Sequence, residues 1–329
     1  MKALVYTGLK TLDYRDAPDP EPRDGEVIVK VEAVGICGSD MHAFLGHDER
    51  RPAPLILGHE AAGTVTSGKL AGKRVTVNPL VTCGTCPACE KGRNNLCPNR
   101  QIISMAPRPG AFAQYLAIPE KNLVEIPDGV SVDKACLAEP LACGWHAVRV
   151  AARNDPDALR SGTCVVIGGG AIGLGAALSL HAAGASRVII AETNPRRHAA
   201  LEGAGPFEIV DPTSDPVSIT ADVVIDGVGF AATRTMASRI AKPGGVIVHI
   251  GLGDNEGGLD IRRLTLQEIS FIGTYTYTSD DFRQTAAAIF DGRLGALDWP
   301  HMRPLRDGAA AFADILNGRI AAPKIVLVP

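Results

Sequence analysis

"VVIGGGAIGLG", residues 165–175, is the stretch whose reading decides the fold. An apolar run over residues 164–167 leads into Gly168, Gly170 and Gly173, spaced G-x-G-x-x-G. Residues of helix-forming type, "AIGLGAALSLHAAGA", follow at once. Glycine-rich sequences match the pattern by chance, so its context carries the weight. One glycine makes the tight turn, one lets a pyrophosphate approach the backbone, and one allows close helix packing. The helix that opens at Ala171, Ile172 and Gly173 then presents free N–H groups to the phosphates. A dinucleotide site also needs an acid at the end of the next strand. Glu192 closes "SRVIIAE" at about the expected distance and would accept hydrogen bonds from the adenosine ribose. A carboxylate there repels a 2′-phosphate, which argues for NAD. Arg196 and Arg197 lie just beyond and are the features that would favour NADP.

Outward from this turn the chain reads as three blocks. Residues 141–272 hold further apolar strands, "ADVVIDGVG" and "GGVIVHIG", alternating with helical stretches, the pattern of a parallel sheet covered on both faces. Residues 1–140 carry short β-type runs such as "EVIVKVEAVG" broken by Gly and Pro, as in a β-rich domain with long loops. Residues 273–329 end in "KIVLV", which is expected to pair with the first block. The stretch "NDPDALRSG", 154–162, reads as a polar connection.

The net charge of −3 and the absence of basic runs give no field for a nucleic-acid partner. No apolar run reaches the ~18 residues of a membrane span. The N-terminal run "MKALVYTGLKTLDYRD" alternates like a strand and lacks the segments of a signal peptide, so a cytoplasmic protein is expected.

Four of the eight cysteines fall in "VTCGTCPACEKGRNNLC", residues 81–97. A disulfide knot, a redox centre and a metal cage are the alternatives. In a reducing compartment thiols stay free, and clustered thiols are more often metal ligands. Elsewhere "GICGSDMH" supplies Cys37, Ser39, Asp40 and His42, "LGHEAAG" supplies His59 and Glu60, and "LAEPLAC" supplies Glu139. A thiol, an imidazole and carboxylates are the mixed donors of a catalytic zinc that keeps one position open.

"GHEAAG", "CGTCPACEKGRNNLC", "GAFAQY", "LAEPLA" and "GGGAIG" occur in an order and at separations that resemble the zinc-containing medium-chain dehydrogenase/reductase family, within its alcohol and polyol dehydrogenases. The resemblance covers essentially the whole chain. It implies an α/β protein: a GroES-like β-rich catalytic domain, 1–140 and 273–329, and a Rossmann doubly wound parallel-sheet domain, 141–272. It implies two zinc ions per chain. One is catalytic, on Cys37, His59 and Glu60, with Glu139 bound directly or through water. The other is structural, on Cys83, Cys86, Cys89 and Cys97 in a lobe over 81–98. It also implies NAD-dependent oxidation of a secondary alcohol or polyol, with the proton leaving through Ser39 and His42, and Asp40 orienting their loop. Val228, Ile250, Gly251, Leu252, Thr274 and Tyr275 match segments beside the nicotinamide, and Arg197 lies at the ribose end. An L-threonine-type amino-alcohol dehydrogenase is the alternative on the same scaffold, and a catalytically silent nucleotide-binding protein a remote one. A homodimer or homotetramer is implied.

Some positions depart from the sorbitol-dehydrogenase pattern. The arginine of an Arg-Tyr pair is absent where Thr276 and Tyr277 stand, and Ala43 replaces a tyrosine. These losses put sorbitol in doubt and point to a pocket near Phe44 with fewer polar contacts. Cys136, Cys143 and Cys164 lie in apolar surroundings and read as packing residues.

Overall fold

A computed structural model describes residues 1–214 and 219–329, with the side chain of Pro156 left aside. The chain forms two compact units. One comprises Met1–Glu139, Thr278–Asp291 and Asp298–Pro329, and the other Pro140–Tyr277 and Gly292–Leu297. Ser270–Gly273 is the last strand of the parallel sheet, and the chain rejoins the first unit at Thr278. Among the described residues no helix is long and apolar enough to cross a membrane.

The first unit is built on the strand Glu26–Gly35. Its alternation buries Val27, Val29 and Val31 while Lys30 stays exposed, as expected of a sheet with one face on the core. This strand pairs antiparallel with Glu60–Val65, with Tyr115–Pro119 and with Ile325–Val328, all within a seven-stranded sheet. The core beneath holds Leu4, Leu57, Phe112, Leu116 and Phe312, with Phe112 set edge-on to Phe312. Register then does the positioning. Gly35 lies opposite Glu60 on one side and Val326 on the other, so three distant segments meet at one corner of the sheet. A Cβ on Gly35 would sit 1.9 Å from the Glu60 carboxylate, so this corner requires glycine.

The two-stranded pairing of Leu80–Val81 with Gln101–Ile102 closes the base of the cysteine-rich loop. Asn94 in that loop exchanges two hydrogen bonds with Ser279, at the start of the helix Ser279–Phe290.

The second unit is a six-stranded parallel sheet. Its order is Glu208–Val210, Arg187–Ala191, Thr163–Ile167, Ala221–Asp226, Ala241–His249, Ser270–Gly273. Chain order reverses beside Thr163–Ile167, which makes the carboxyl ends of that strand and Ala221–Asp226 the switch point where such sheets bind ligands. The middles of the strands are apolar and buried, with Val165, Ile189, Val224 and Ile247 in one core cluster, as expected of a parallel sheet. The stretch expected to be a polar connection instead contains the helix Pro156–Ser161. Pro156 occupies its first turn, and the Asp155 carboxylate accepts hydrogen bonds from the N–H groups of Asp157 and Ala158. The helix Ala138–Asn154, which carries Glu139 in its first turn, is a further element that the sequence reading did not resolve.

At the switch point Asp226 is wholly buried. Its carboxylate accepts hydrogen bonds from Val228 N, Gly229 N and the Thr233 hydroxyl, and His249 Nδ1 lies 3.2 Å away. Burial alone would raise its pKa. His249 and these donors outweigh burial and hold the pKa below the ordinary 3.8. A depressed folded pKa contributes stability that is complete above the unfolded value and lost as pH falls through the folded one. Asp226→Ala is therefore expected to destabilise the second unit by about 1–3 kcal/mol at neutral pH. In denaturant melts the difference from wild type should shrink below about pH 4. A second variant tests the glycine turn. A Cβ at Gly173 would lie 1.8 Å from the Gly168 carbonyl oxygen. Gly173→Ala should cost about 1–3 kcal/mol and abolish nicotinamide cofactor binding measured by fluorescence titration.

Candidate functional site

The corner of the first sheet gathers a sulfur, a nitrogen and an oxygen donor. Cys37, His59 and Glu60 each offer an atom within 4.8 Å of the others. Cys37 follows the end of the strand Glu26–Gly35 and precedes the helix Gly38–Phe44, while His59 stands just before the paired strand and Glu60 opens it. Asp40 fixes the two segments together. Fully buried, it accepts hydrogen bonds from Cys37 N at 3.0 Å and Gly58 N at 3.2 Å. Its carboxylate also lies 3.6 Å from His59 Nδ1, too far for a hydrogen bond but close for a charge. The loop-orienting role expected of Asp40 is thus visible as geometry.

Charge in this corner is unusual. Burial works against a protonated His59, but the charges of Asp40 and Cys37 overcome it and hold the ring well above its ordinary range. Asp40 is likewise held low despite its burial, by His59 and Arg51. Lys324, buried at the start of the last strand, donates to Glu60 Oε1 at 2.6 Å and to the Ile36 carbonyl at 2.9 Å. Burial opposes its charge, but Glu60, Cys37 and Glu139 keep its pKa raised. The other Glu60 oxygen, Oε2, is buried with no hydrogen-bond partner. A buried polar atom without a partner costs ~1–3 kcal/mol, and more when the group is charged. A cation shared with the Cys37 sulfur and the His59 ring satisfies it, so the residues present fit a zinc ion. Glu139 stands outside this trio. It is buried in the first turn of its helix, near enough for its charge to act on Lys324.

Ser39 and His42 lie three residues apart on the helix Gly38–Phe44, hence on adjoining positions of one helix face, and both are partly exposed.

The four clustered cysteines also converge, with sulfurs within 4.8 Å of one another. All eight cysteines are free thiols, and Cys83 and Cys97 lie 3.5 Å apart, far from the ~2.05 Å of a disulfide. The spacing suits a tetrahedral cage whose edges are about 3.8 Å for metal–sulfur bonds near 2.3 Å. Backbone donors from Thr85, with Cys97, lower Cys83 to about 6, whereas burial raises Cys89 to about 11. Cys136 and Cys164 are buried and raised by that burial, Cys164 to about 12, as inert packing thiols should be.

In the second unit Gly168 adopts φ +94° at the strand end, and the helix Ala171–Ala182 starts from Gly170. Glu192 turns toward this loop. Its Oε2 accepts from Gly169 N at 2.8 Å, its Oε1 from Asn194 N at 2.7 Å, and Arg197 Nη1 lies 3.2 Å from Oε2. The acid expected to meet a ribose is therefore also a brace for the glycine turn, and Arg197 is its ion-pair partner. Val228, Ile250, Gly251 and Leu252 cluster at the carboxyl ends of neighbouring strands: Ile250 and Gly251 N–H groups both donate to the Asp226 carbonyl. Leu252 is largely exposed. Thr274 donates through N and Oγ1 to the His249 carbonyl, and Tyr275 follows it.

Phe44, near which the substrate pocket was expected, is buried, its ring 5.2 Å from that of Phe312. Tyr277 is among the largest fully buried side chains, and Thr276 before it is held at φ +46°. Sequence reasoning missed Lys324, Arg51 and Ser104. Only Lys324 left a signal, as a charge opening an otherwise apolar run.

Comparison with known proteins adds the family. The alcohol dehydrogenase GroES-like domain matches residues 23–128, and the zinc-binding dehydrogenase domain matches residues 171–291. The chain is 31% identical to the L-galactonate-5-dehydrogenase of Escherichia coli over 336 residues, covering 97% of this chain and 96% of that one. It is 34% identical to the sorbitol dehydrogenase of Bacillus subtilis over 299 residues, covering 85% and 83%. A crystal structure of an Escherichia coli oxidoreductase/dehydrogenase of unknown specificity superposes with a TM-score of 0.91 at 28% identity, covering 99% and 98%. Matches of this length, to both domains and to named dehydrogenases, show that the chain belongs to the zinc-containing medium-chain dehydrogenase family, among its alcohol and polyol dehydrogenases.

Proposed function

We propose that the chain oxidises a secondary alcohol or polyol to a ketone, passing the hydride to NAD, with a catalytic zinc on Cys37, His59 and Glu60 and a structural zinc on Cys83, Cys86, Cys89 and Cys97. One observation carries this reading. A thiol, an imidazole and a carboxylate converge within 4.8 Å, and the carboxylate keeps one buried oxygen without a partner. Bound there, zinc supplies a Lewis acid that favours the deprotonated alcohol. The chain's own groups do the rest. The Ser39 hydroxyl, able to accept and donate at once, takes the alcohol proton. His42, one turn further along the same helix and partly exposed, passes it toward solvent. Lys324 holds Glu60 by one oxygen, which leaves the other without a donor and available to hold the metal. Glu139 is assigned an outer position, beyond the trio.

The cofactor assignment rests on Glu192. Its carboxylate is pinned at the glycine turn by two backbone N–H groups, where it favours ribose hydroxyls over a 2′-phosphate. Arg197 offsets part of that charge, so some NADP turnover is expected. The polyol class follows the relatives, which are named for sorbitol and for L-galactonate. Eight free thiols suit a reducing compartment, and we assign the chain to the cytoplasm as a homodimer or homotetramer.

A panel of C3 to C6 polyols, diols and threonine with NAD and NADP, followed by nicotinamide absorbance, tests the class. Turnover of threonine alone would transfer the chain to amino-alcohol chemistry. Cys37→Ser should abolish turnover and reduce bound zinc from about two ions per chain to about one; wild-type rates from that variant would refute the site. Ser39→Ala should lose about 100-fold in kcat with its zinc retained. Glu192→Ala should raise the NADP-to-NAD ratio of kcat/KM at least about 10-fold, a change of ~1.4 kcal/mol in discrimination.

A further inference from the structure

Besides Asp40, a second polar chain reaches His59, and the chemistry above does not use it. Arg51 is only 3% exposed. Its Nε donates to the Ser104 carbonyl at 3.0 Å, and its Nη1 to the Ser39 carbonyl at 3.0 Å and to Asp48 Oδ2 at 2.9 Å. Its Nη2 lies 3.5 Å from the Ser104 hydroxyl. Ser104 is wholly buried and held at φ +70°, a backbone region that side-chain-bearing residues rarely occupy. Such a conformation persists where its surroundings over-determine it. Here the carbonyl is fixed by the guanidinium, and the hydroxyl lies 3.3 Å from His59 Nδ1.

One planar fork therefore ties the backbone of the Ser39 helix to the segment that addresses the His59 ring. A guanidinium only donates, and Asp40 only accepts. With Asp40 beside Nδ1, the ring proton belongs on Nδ1, donated toward Ser104 Oγ and the Asp40 charge. Nε2 is then left with its lone pair for a metal.

We propose that Arg51 and Ser104 form a positioning clamp that fixes the His59 ring, and with it the metal-ligating nitrogen, in register with the Ser39 hydroxyl. The inference rests on the reading of Cys37, His59 and Glu60 as a zinc site. Neither clamp residue touches the metal or the substrate. Arg51 acts through Ser104 and the Ser39 backbone, and Ser104 acts through His59. Outer partners of a ligating histidine commonly tune metal affinity about 10–100-fold.

Ser104→Gly separates positioning from folding. Glycine accepts φ +70° without strain and keeps the carbonyl that Arg51 uses, so only the hydroxymethyl group is lost. The zinc-loaded variant is expected to melt no lower than wild type. Its mixed-ligand zinc should pass to a chromogenic chelator about 10-fold faster, while release from the four-thiolate site stays unchanged. With cobalt(II) in the mixed-ligand site, its visible absorption bands should shift. Arg51→Lys keeps the charge without the fork and should release zinc as fast as Arg51→Met. If both Arg51 variants fail to fold, Ser104→Gly alone decides. Wild-type zinc release and an unaltered cobalt spectrum in Ser104→Gly overturn the clamp, whatever its melting temperature. A wild-type protein that binds zinc only at the four cysteines, with Cys37→Ser losing none, instead overturns the underlying site and the clamp together.

Discussion

A buried carboxylate, Asp40, is the constraint on which the first unit's site depends. Taking an ionised carboxylate out of water costs several kcal/mol unless its lone pairs are filled and its charge is met. Asp40 meets both conditions only when the Cys37 and Gly58 N–H groups point at it together, with His59 and Arg51 nearby. The penalty for separation is what locks two loops, one after the strand Glu26–Gly35 and one before Glu60, into a single arrangement. The converging donors Cys37 and His59, carried by short loops, thereby gain the rigidity of the sheet beneath them.

The same logic governs the charges around it. Cys37, Asp40, Glu60 and Glu139 bring acidic groups into a corner that buries most of them, and Lys324 and Arg51 are the permanent cations that meet them. Lys324 neutralises one oxygen of Glu60 and leaves the other buried without a donor. A corner with that residual demand for positive charge is more stable with a cation than without one. The four-thiolate lobe follows a simpler rule. A loop with little core of its own is held at its base by a two-stranded pairing and at Asn94 by Ser279, the first residue of a helix. The four sulfurs that converge in it would let the proposed metal cage supply the remaining order.

In the second unit one side chain serves two ends. Glu192 stands where the sequence asks for an acid that reads a ribose, yet its oxygens also accept from Gly169 and Asn194. The glycines permit a sharp turn but do not select one. The carboxylate selects it by rewarding a single backbone path. Asp226 does the same for the turn on the neighbouring strand, through Val228 and Gly229. The two acids fix both sides of the switch point before any ligand arrives.

Much of this was legible in the residue string because it is local. The G-x-G-x-x-G turn, the apolar runs of the parallel sheet, the cysteine spacing over 83–97 and the "GHE" triplet all act within a few residues of one another, where period and spacing encode geometry directly. The polar look of residues 154–162 misled for a local reason too, since an aspartate cap and an N-terminal proline begin a helix as readily as they mark a loop. The burial of Phe44 against Phe312 lay outside such reach, as did the partners of the ligands. Lys324 lies 264 residues from Glu60, Ser104 45 from His59, and Arg51 53 from Ser104. Sequence alone determined which donors exist and on which elements they ride. Only the tertiary structure decided which oxygen of Glu60 is left open and which groups hold His59. Those choices follow from the register of the strands Glu26–Gly35, Glu60–Val65 and Ile325–Val328, and a register is a property of packed surfaces, which no single segment carries.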